Sequence, residues 1–173
     1  MATQGFLARV AGRTKQIFGI DSSAGAADAG KIPALDSTGR LAANMMPVGI
    51  GANTTICPAS EALGAGTFVN FWQDGGVMKA RLADNSNGRQ ADGFVIAAAA
   101  SAANATVYPL DSTNTAQTGL TAGARYWLGT AGAVTVTPLD AADAANANKV
   151  DQYLGIAKSA TELVTDDQGY VVL

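Results

Sequence analysis

LGAGTFVNFWQDGGVMKARLADNSNGRQADGFVIAAAASAANATVYPL, residues 63–110, is a pattern that this chain writes twice. From residue 120 it returns as LTAGARYWLGTAGAVTVTPLDAADAANANKVDQYLGIAKSATELVTDDQGYVVL, ending at residue 173. Leu63 answers to Leu120, Gly66 to Gly123, residues 68–71 to 125–128, Gly75 or Gly76 to Gly132, and the run at Gly93 to the run at Gly155. The first anchors share one offset, and the last slips by a few residues inside a polar loop. Between the glycines the alternating apolar residues also correspond, so the repeat is one of pattern and not of glycine content alone.

Alternation at period two predicts strands. Val69 and Phe71 alternate with Phe68, Asn70 and Trp72. A turn at Asp74-Gly75-Gly76 follows, and then Met78, Ala80 and Leu82 alternate with Val77, Lys79 and Arg81, which makes a hairpin. Residues 84–92 are a polar loop, 93–100 a buried strand and 105–110 a closing one. The second unit repeats this with Tyr126 and Leu128, a turn at residues 130–132, Val134 and Val136, a loop over 141–148 and a strand over 150–159. A final hairpin is expected between 161–165 and 169–173. The prediction is a mainly β fold, with two β-rich units (about 60–115 and 118–173) packed as a sandwich or small barrel within a β domain over 52–173.

With 173 residues the chain is long enough for a core that needs no disulfide. Its one cysteine, Cys57, lies in an apolar strand-like context and is expected to be a buried structural thiol. Residues 1–12 lack the apolar core of a secretory signal, and no apolar run approaches membrane-span length, so synthesis as a soluble protein in a cytoplasm is expected. Only 14% of residues are charged, where about a quarter is usual. Such a bland surface suggests cover by other subunits. Residues 1–50 carry five cations and three carboxylates, a net +2, and the remainder six and eleven, a net −5. A basic arm on an acidic body points to different partners for the two. Nucleic acid is not expected, because five spaced cations without clustered aromatics neutralise few phosphates.

Residues 1–51 form that arm. Phe6, Leu7, Val10, Ile17 and Phe18 recur at helical spacing, with Arg9 and Arg13 off the stripe, which predicts a short amphipathic helix over about 3–18. Gly5 and Gly12 each cost it roughly 1 kcal/mol, so it should need a docking partner, and a protein suits it better than a membrane. Residues 20–30 predict an extended linker. An extended segment follows, in which Lys31, Ile32, Leu35, Leu41, Met45, Met46 and Pro47 are too sparse to make a core and should lie along a neighbour.

Catalytic signatures are missing. The chain has no histidine, which removes the commonest general base and metal ligand. Cys57 has no histidine to activate it. Asp166 and Asp167, Asp140 and Asp143, and Asp84 and Asp92 are read as solvated turn residues, since none has the spacing of a calcium loop. No cofactor, metal or catalytic residue is expected. Phe71, Trp72, Tyr126 and Trp127 are candidates for a subunit interface.

GKIPALDSTGRLAANMMP, residues 30–47, is similar to a segment that recurs in structural proteins of tailed bacteriophages, in head decoration proteins and in head or tail fibres alike. SEALGAGTFVNFW (60–72), VMKARLADNSNGRQADGFVIAAAA (77–100) and ATVYPLDSTNT (105–115) together resemble the lambda-type capsid decoration, or cement, proteins. That resemblance implies a small β-rich domain on the outer surface of the phage capsid, with the major capsid protein and sister copies as partners. A homotrimer at local threefold positions is expected, with a dimer as the alternative. The second unit and the basic arm have no counterpart in the small lambda-type proteins, so their docking mode is not implied here. A head or tail fibre protein presenting a β domain to a host glycan is the alternative function.

Overall fold

The computed structural model describes residues 5–37, 39–46 and 53–173. The chain divides into two compact units, Met1–Ala52 and Asn53–Leu173. In the first, β1 (Gly5–Val10) and β2 (Arg13–Phe18) pair antiparallel, with Phe6 opposite Ile17 and Val10 opposite Arg13. This overturns the expected amphipathic helix. Ala11 and Gly12, at φ 51° and 76°, supply the two left-handed residues that match a tight turn to the twist of a hairpin. The same apolar residues satisfy helical and alternating spacing. Glycines at 5 and 12 weaken the helix, and Val10, Thr14, Ile17 and Phe18 favour the strand.

The run after the hairpin is also less extended than its composition suggests. Ile20 donates its N–H to the Ile32 carbonyl (2.9 Å) and accepts from Ala34 N–H (2.7 Å), which closes residues 20–34 into a loop. Within it, Gly25–Asp28 form one 3-10 turn. The Asp28 carboxylate takes hydrogen bonds from Ala24 N–H and Lys31 Nζ, a local satisfaction of the backbone that short polar residues favour. Asn44 Nδ2 returns to the Ser23 carbonyl at 2.8 Å.

The second unit holds β3 (Thr55–Pro58), β4 (Phe68–Asp74), β5 (Val77–Leu82), β6 (Gly93–Val95) and β7 (Asn104–Tyr108). It continues with β8 (Thr113–Asn114), β9 (Arg125–Leu128), β10 (Val134–Thr135), β11 (Val150–Asp151), β12 (Tyr153–Ala157), β13 (Leu163–Thr165) and β14 (Val171–Val172). Two antiparallel five-stranded sheets result, ordered β3-β7-β6-β4-β5 and β8-β13-β12-β9-β10. Position for position the orders correspond. The hydrogen bonds correspond too: Gly66 and Gly123, at φ 82° and 81°, donate to Val95 and Ala157 carbonyls, each at 2.8 Å. The first sheet curls until Ala59, just past β3, bridges Ala80 of β5, closing it toward a small barrel.

Alternation along the strands sorts the core into two clusters. Cys57, Leu63, Val69, Ala80, Val95, Ala105 and Val107 fill the inside of the curled first sheet. On its other face Phe68 and Phe94 meet Tyr126, Leu128, Leu154 and Leu163 of the second sheet.

Several boundaries differ from expectation. Residues 96–100 leave the sheet after Val95, because alanines bury too little apolar surface to hold a central strand; Ala99 instead bridges Leu63. β8 belongs to the second sheet, although its residues fall in the first sequence unit. The strand expected over 150–159 breaks at buried Gln152. The terminal hairpin does not form, since both edges of β13 are occupied by β12 and β8, and β14 pairs with β11.

Candidate attachment surface

β1 and β2 present apolar side chains without a core beneath them. Phe6, Leu7 and Phe18 are 40%, 74% and 49% exposed, and Val10 is similarly open. Strand alternation divides what the sequence suggests is one stripe. Phe6, Val10 and Ile17 lie on one face of the ribbon with Arg13 and Lys15, and Leu7 and Phe18 lie on the other with Arg9. Residues 5–18 contain three cations and no carboxylate, and none of the three is ion-paired among the described residues. The ribbon is therefore amphipathic on both faces and basic throughout.

The second predicted contact segment is also open. Ile32, Leu35, Leu41 and Met46 are exposed and Met45 is half-buried. Pro47 lies outside the described residues. Lys31 is held by Asp28, whose carboxyl is lowered below its ordinary range by the Ala24 N–H and by Lys31. Asp36 Oδ1 accepts from Arg40 N–H at 3.1 Å, which folds the Gly39 turn, so the segment is a chain of small turns studded with apolar side chains.

The four aromatics predicted for a subunit interface separate. Tyr126 is buried in the core, and its hydroxyl accepts from Thr121 N–H at 2.9 Å, so it is not available to a partner. Even alternation from Tyr126 to Leu128 requires this once Leu128 points inward. Phe71 packs half-buried against the inner cluster. Trp72 lies under the Arg81 guanidinium, 4.9 Å from its ring centre, and donates Nε1–H to Ser60 Oγ at 3.1 Å. Trp127 meets Tyr153 edge-on at 5.6 Å on the outer face of the second sheet. Exposed Ile156 and Val164, missed in the sequence, sit opposite each other on that sheet. The alternation of 153–157, displaced by the bulge before Gly155, is the only signal that marks them.

Two of the acidic residues tie separate parts of the body together. Asp92 Oδ2 accepts from Asn70 Nδ2 (3.0 Å) and Phe71 N–H (2.7 Å). Asp84 accepts from Ser86 N–H and Oγ–H and, across to the other sheet, from Ala131 N–H. Asp92 and Asp84 are thus latches where solvated turn residues are expected, whereas Asp140, Asp143, Asp166 and Asp167 are exposed as expected. Among the described residues no three His, Cys, Asp or Glu side chains gather as a metal site, and no helix is long and apolar enough to cross a membrane. Burial raises the Cys57 thiol pKa.

No family model matches the chain, and no curated protein does. Among solved structures, the head fiber gp8.5 N base in bacteriophage phi29 is similar over 67% of this chain and 95% of its own, at 13% identity and a TM-score of 0.42. Values this low carry nothing from that protein to this one.

Proposed function

We propose that the chain is a virion structural protein of a tailed bacteriophage, a decoration protein that binds the outer surface of the assembled head. The exposed apolar residues of the basic β1–β2 ribbon are the single observation that carries this reading. A free two-stranded ribbon is marginal in water, and contiguous exposed apolar surface marks an interaction site. The resemblance of residues 30–47 and 60–115 to decoration proteins supplies the partner, the major capsid protein.

The mechanism is linkage. A protein that binds only the assembled lattice stabilises it by its own binding free energy, about 2.7 kcal/mol per site at a hundredfold excess over Kd. Phe6, Leu7, Val10, Ile17 and Phe18 with Arg9 and Arg13 make the first contact, and the segment from Lys31 to Met46 a second. The β body stands outward in trimers and performs no catalysis.

The test is to titrate purified heads lacking the protein with wild type and with a Phe6→Ala/Phe18→Ala variant, and to count bound copies by quantitative mass spectrometry. Many copies spread over the head, lost in the variant, are expected. Undiminished binding by the variant would move attachment off the ribbon, and a few copies at a vertex, collar or tail would make the protein a fibre instead.

A further inference from the structure

The two sheets differ at one edge. In the first, β5 is covered: Ser60 N–H donates to the Ala80 carbonyl (2.8 Å), Leu82 N–H donates to Glu61 Oε1 (2.9 Å), and Ala59 bridges Ala80. In the second, the corresponding strand β10 pairs with β9 on one side, and among the described residues nothing pairs with its other side. Residues 133–137 read AVTVT, uncharged and β-branched, with Val136 56% exposed. Natural sheets block such edges with lysine, proline or a covering segment, because an open edge is a template for another strand. Here only Pro138 ends the run. An open groove of about 530 Å³ runs along it, lined also by Asn85, Asp140 and Asn146.

Charge indicates the occupant. Asp140 lines the groove, Asp84 reaches Ala131 beside it, Asp151 holds Leu139 N–H and Asp143 caps the turn that carries Asn146. Lys149, on Asn146 Oδ1, and Arg89, close to Asp84, offset part of this, which leaves four carboxylates against two cations. The complementary element is a strand with cations and no carboxylate, and β2 with Arg13 and Lys15 is such a strand. Among the described residues its outer edge is unpaired.

We propose that β10 is an acceptor edge for β2 of a second copy, which extends the second sheet by strand addition. Edge pairing uses backbone groups, and Arg13 and Lys15 occupy one face of the ribbon, so the opposite face with Leu7, Arg9 and Phe18 stays available to the coat. The contact is head-to-tail, a geometry that gives a ring when the rotation between copies closes and an open filament when it does not; a trimer requires the closed case. It does not rest on the capsid reading, because it concerns the free protein.

The test is sedimentation equilibrium of the full chain, without heads, for wild type, Val136→Lys and Arg13→Gln/Lys15→Gln. Wild type should self-associate, and raising salt from about 0.05 M to about 0.5 M, which shortens the screening length roughly threefold, should weaken it several-fold. Each variant should raise Kd about tenfold or more. Both changes lie at exposed positions, and circular dichroism verifies that the β body is retained. A monomeric wild type overturns the proposal, as does self-association indifferent to Val136→Lys. Loss with Val136→Lys but not with the ribbon variant would give the edge to a different segment and equally defeat it.

Discussion

Gly93 and Gly155 occupy the same place in the two sheets. A Cβ built on either would come within 3.0 Å of a backbone carbonyl of the next strand, Tyr108 in one case and Val164 in the other. Backbone atoms cannot give way as a flexible side chain can. Gly93→Ala and Gly155→Ala should each destabilise the β body by about 1–3 kcal/mol, the usual cost of overpacking, read from urea midpoints. A stability unchanged in both would mean that the strands separate more freely than this packing implies.

Gln152 joins the two halves as a peptide group would. Its Oε1 accepts from Ala91 N–H (2.7 Å) and its Nε2 donates to the Ala91 carbonyl (2.9 Å) in the buried core. Gln152→Ala strands both groups, at about 1–3 kcal/mol for each unsatisfied one. Thermal unfolding should show a large drop, and Gln152→Leu should not restore the loss.

Asp84 should make part of the stability pH-dependent. Partial burial would raise its carboxyl, but hydrogen bonds from Ser86 and Ala131, with Arg89 nearby, outweigh that and hold it below its ordinary range. A group depressed on folding contributes stability that is present above its unfolded pKa, about 3.9, and is lost as pH falls through the folded value. Asp84→Asn keeps an acceptor for the Ser86 cap but has no charge to lose. Its unfolding free energy should therefore fall less steeply below about pH 4 than that of wild type; parallel curves would remove Asp84 from the acid transition.

Cys57 should report global unfolding. It is buried inside the first sheet with its thiol pKa raised, and the thiolate is the reactive form. Labelling by a thiol reagent should be slow in native protein and should accelerate along the same urea curve as the loss of β signal. Fast labelling of native protein would place a local opening at β3.

Trypsin should cut the free protein after Lys31 or Arg40, both exposed in a segment held by small turns, and leave the body intact. Bound to heads, the same bonds should be protected. Equal cleavage in both states would remove the second contact from the attachment mechanism.

Much of the body was legible in its glycines. Gly66 and Gly123 share an offset with Leu63 and Leu120, and the structure gives them the same φ and the same hydrogen bond. The ribbon was not, because Phe6, Val10 and Ile17 satisfy both periods, and only the Ala11-Gly12 turn separates a hairpin from a helix. Two-residue strands such as β8 and β14 carry no periodicity, and their pairing is set by which edges remain free after the longer strands have paired. The acidic latches leave no mark in the sequence, because neither Asp92 with Phe71 nor Asp84 with Ala131 is a local pair.

The two core clusters also bear on the order of folding. Every residue of the inner cluster lies between positions 57 and 107, so this part of the core is complete before the second sheet is made. The buried apolar side chains of the second sheet rest against Phe68 and Phe94. During synthesis the first half can therefore fold while the rest is still in the ribosome, N-terminal part first, and then serve as the template on which the second condenses. Pulse-labelled hydrogen exchange during refolding should find Val69 and Val95 protected before Leu154 and Leu163; simultaneous protection would mean that the halves nucleate together.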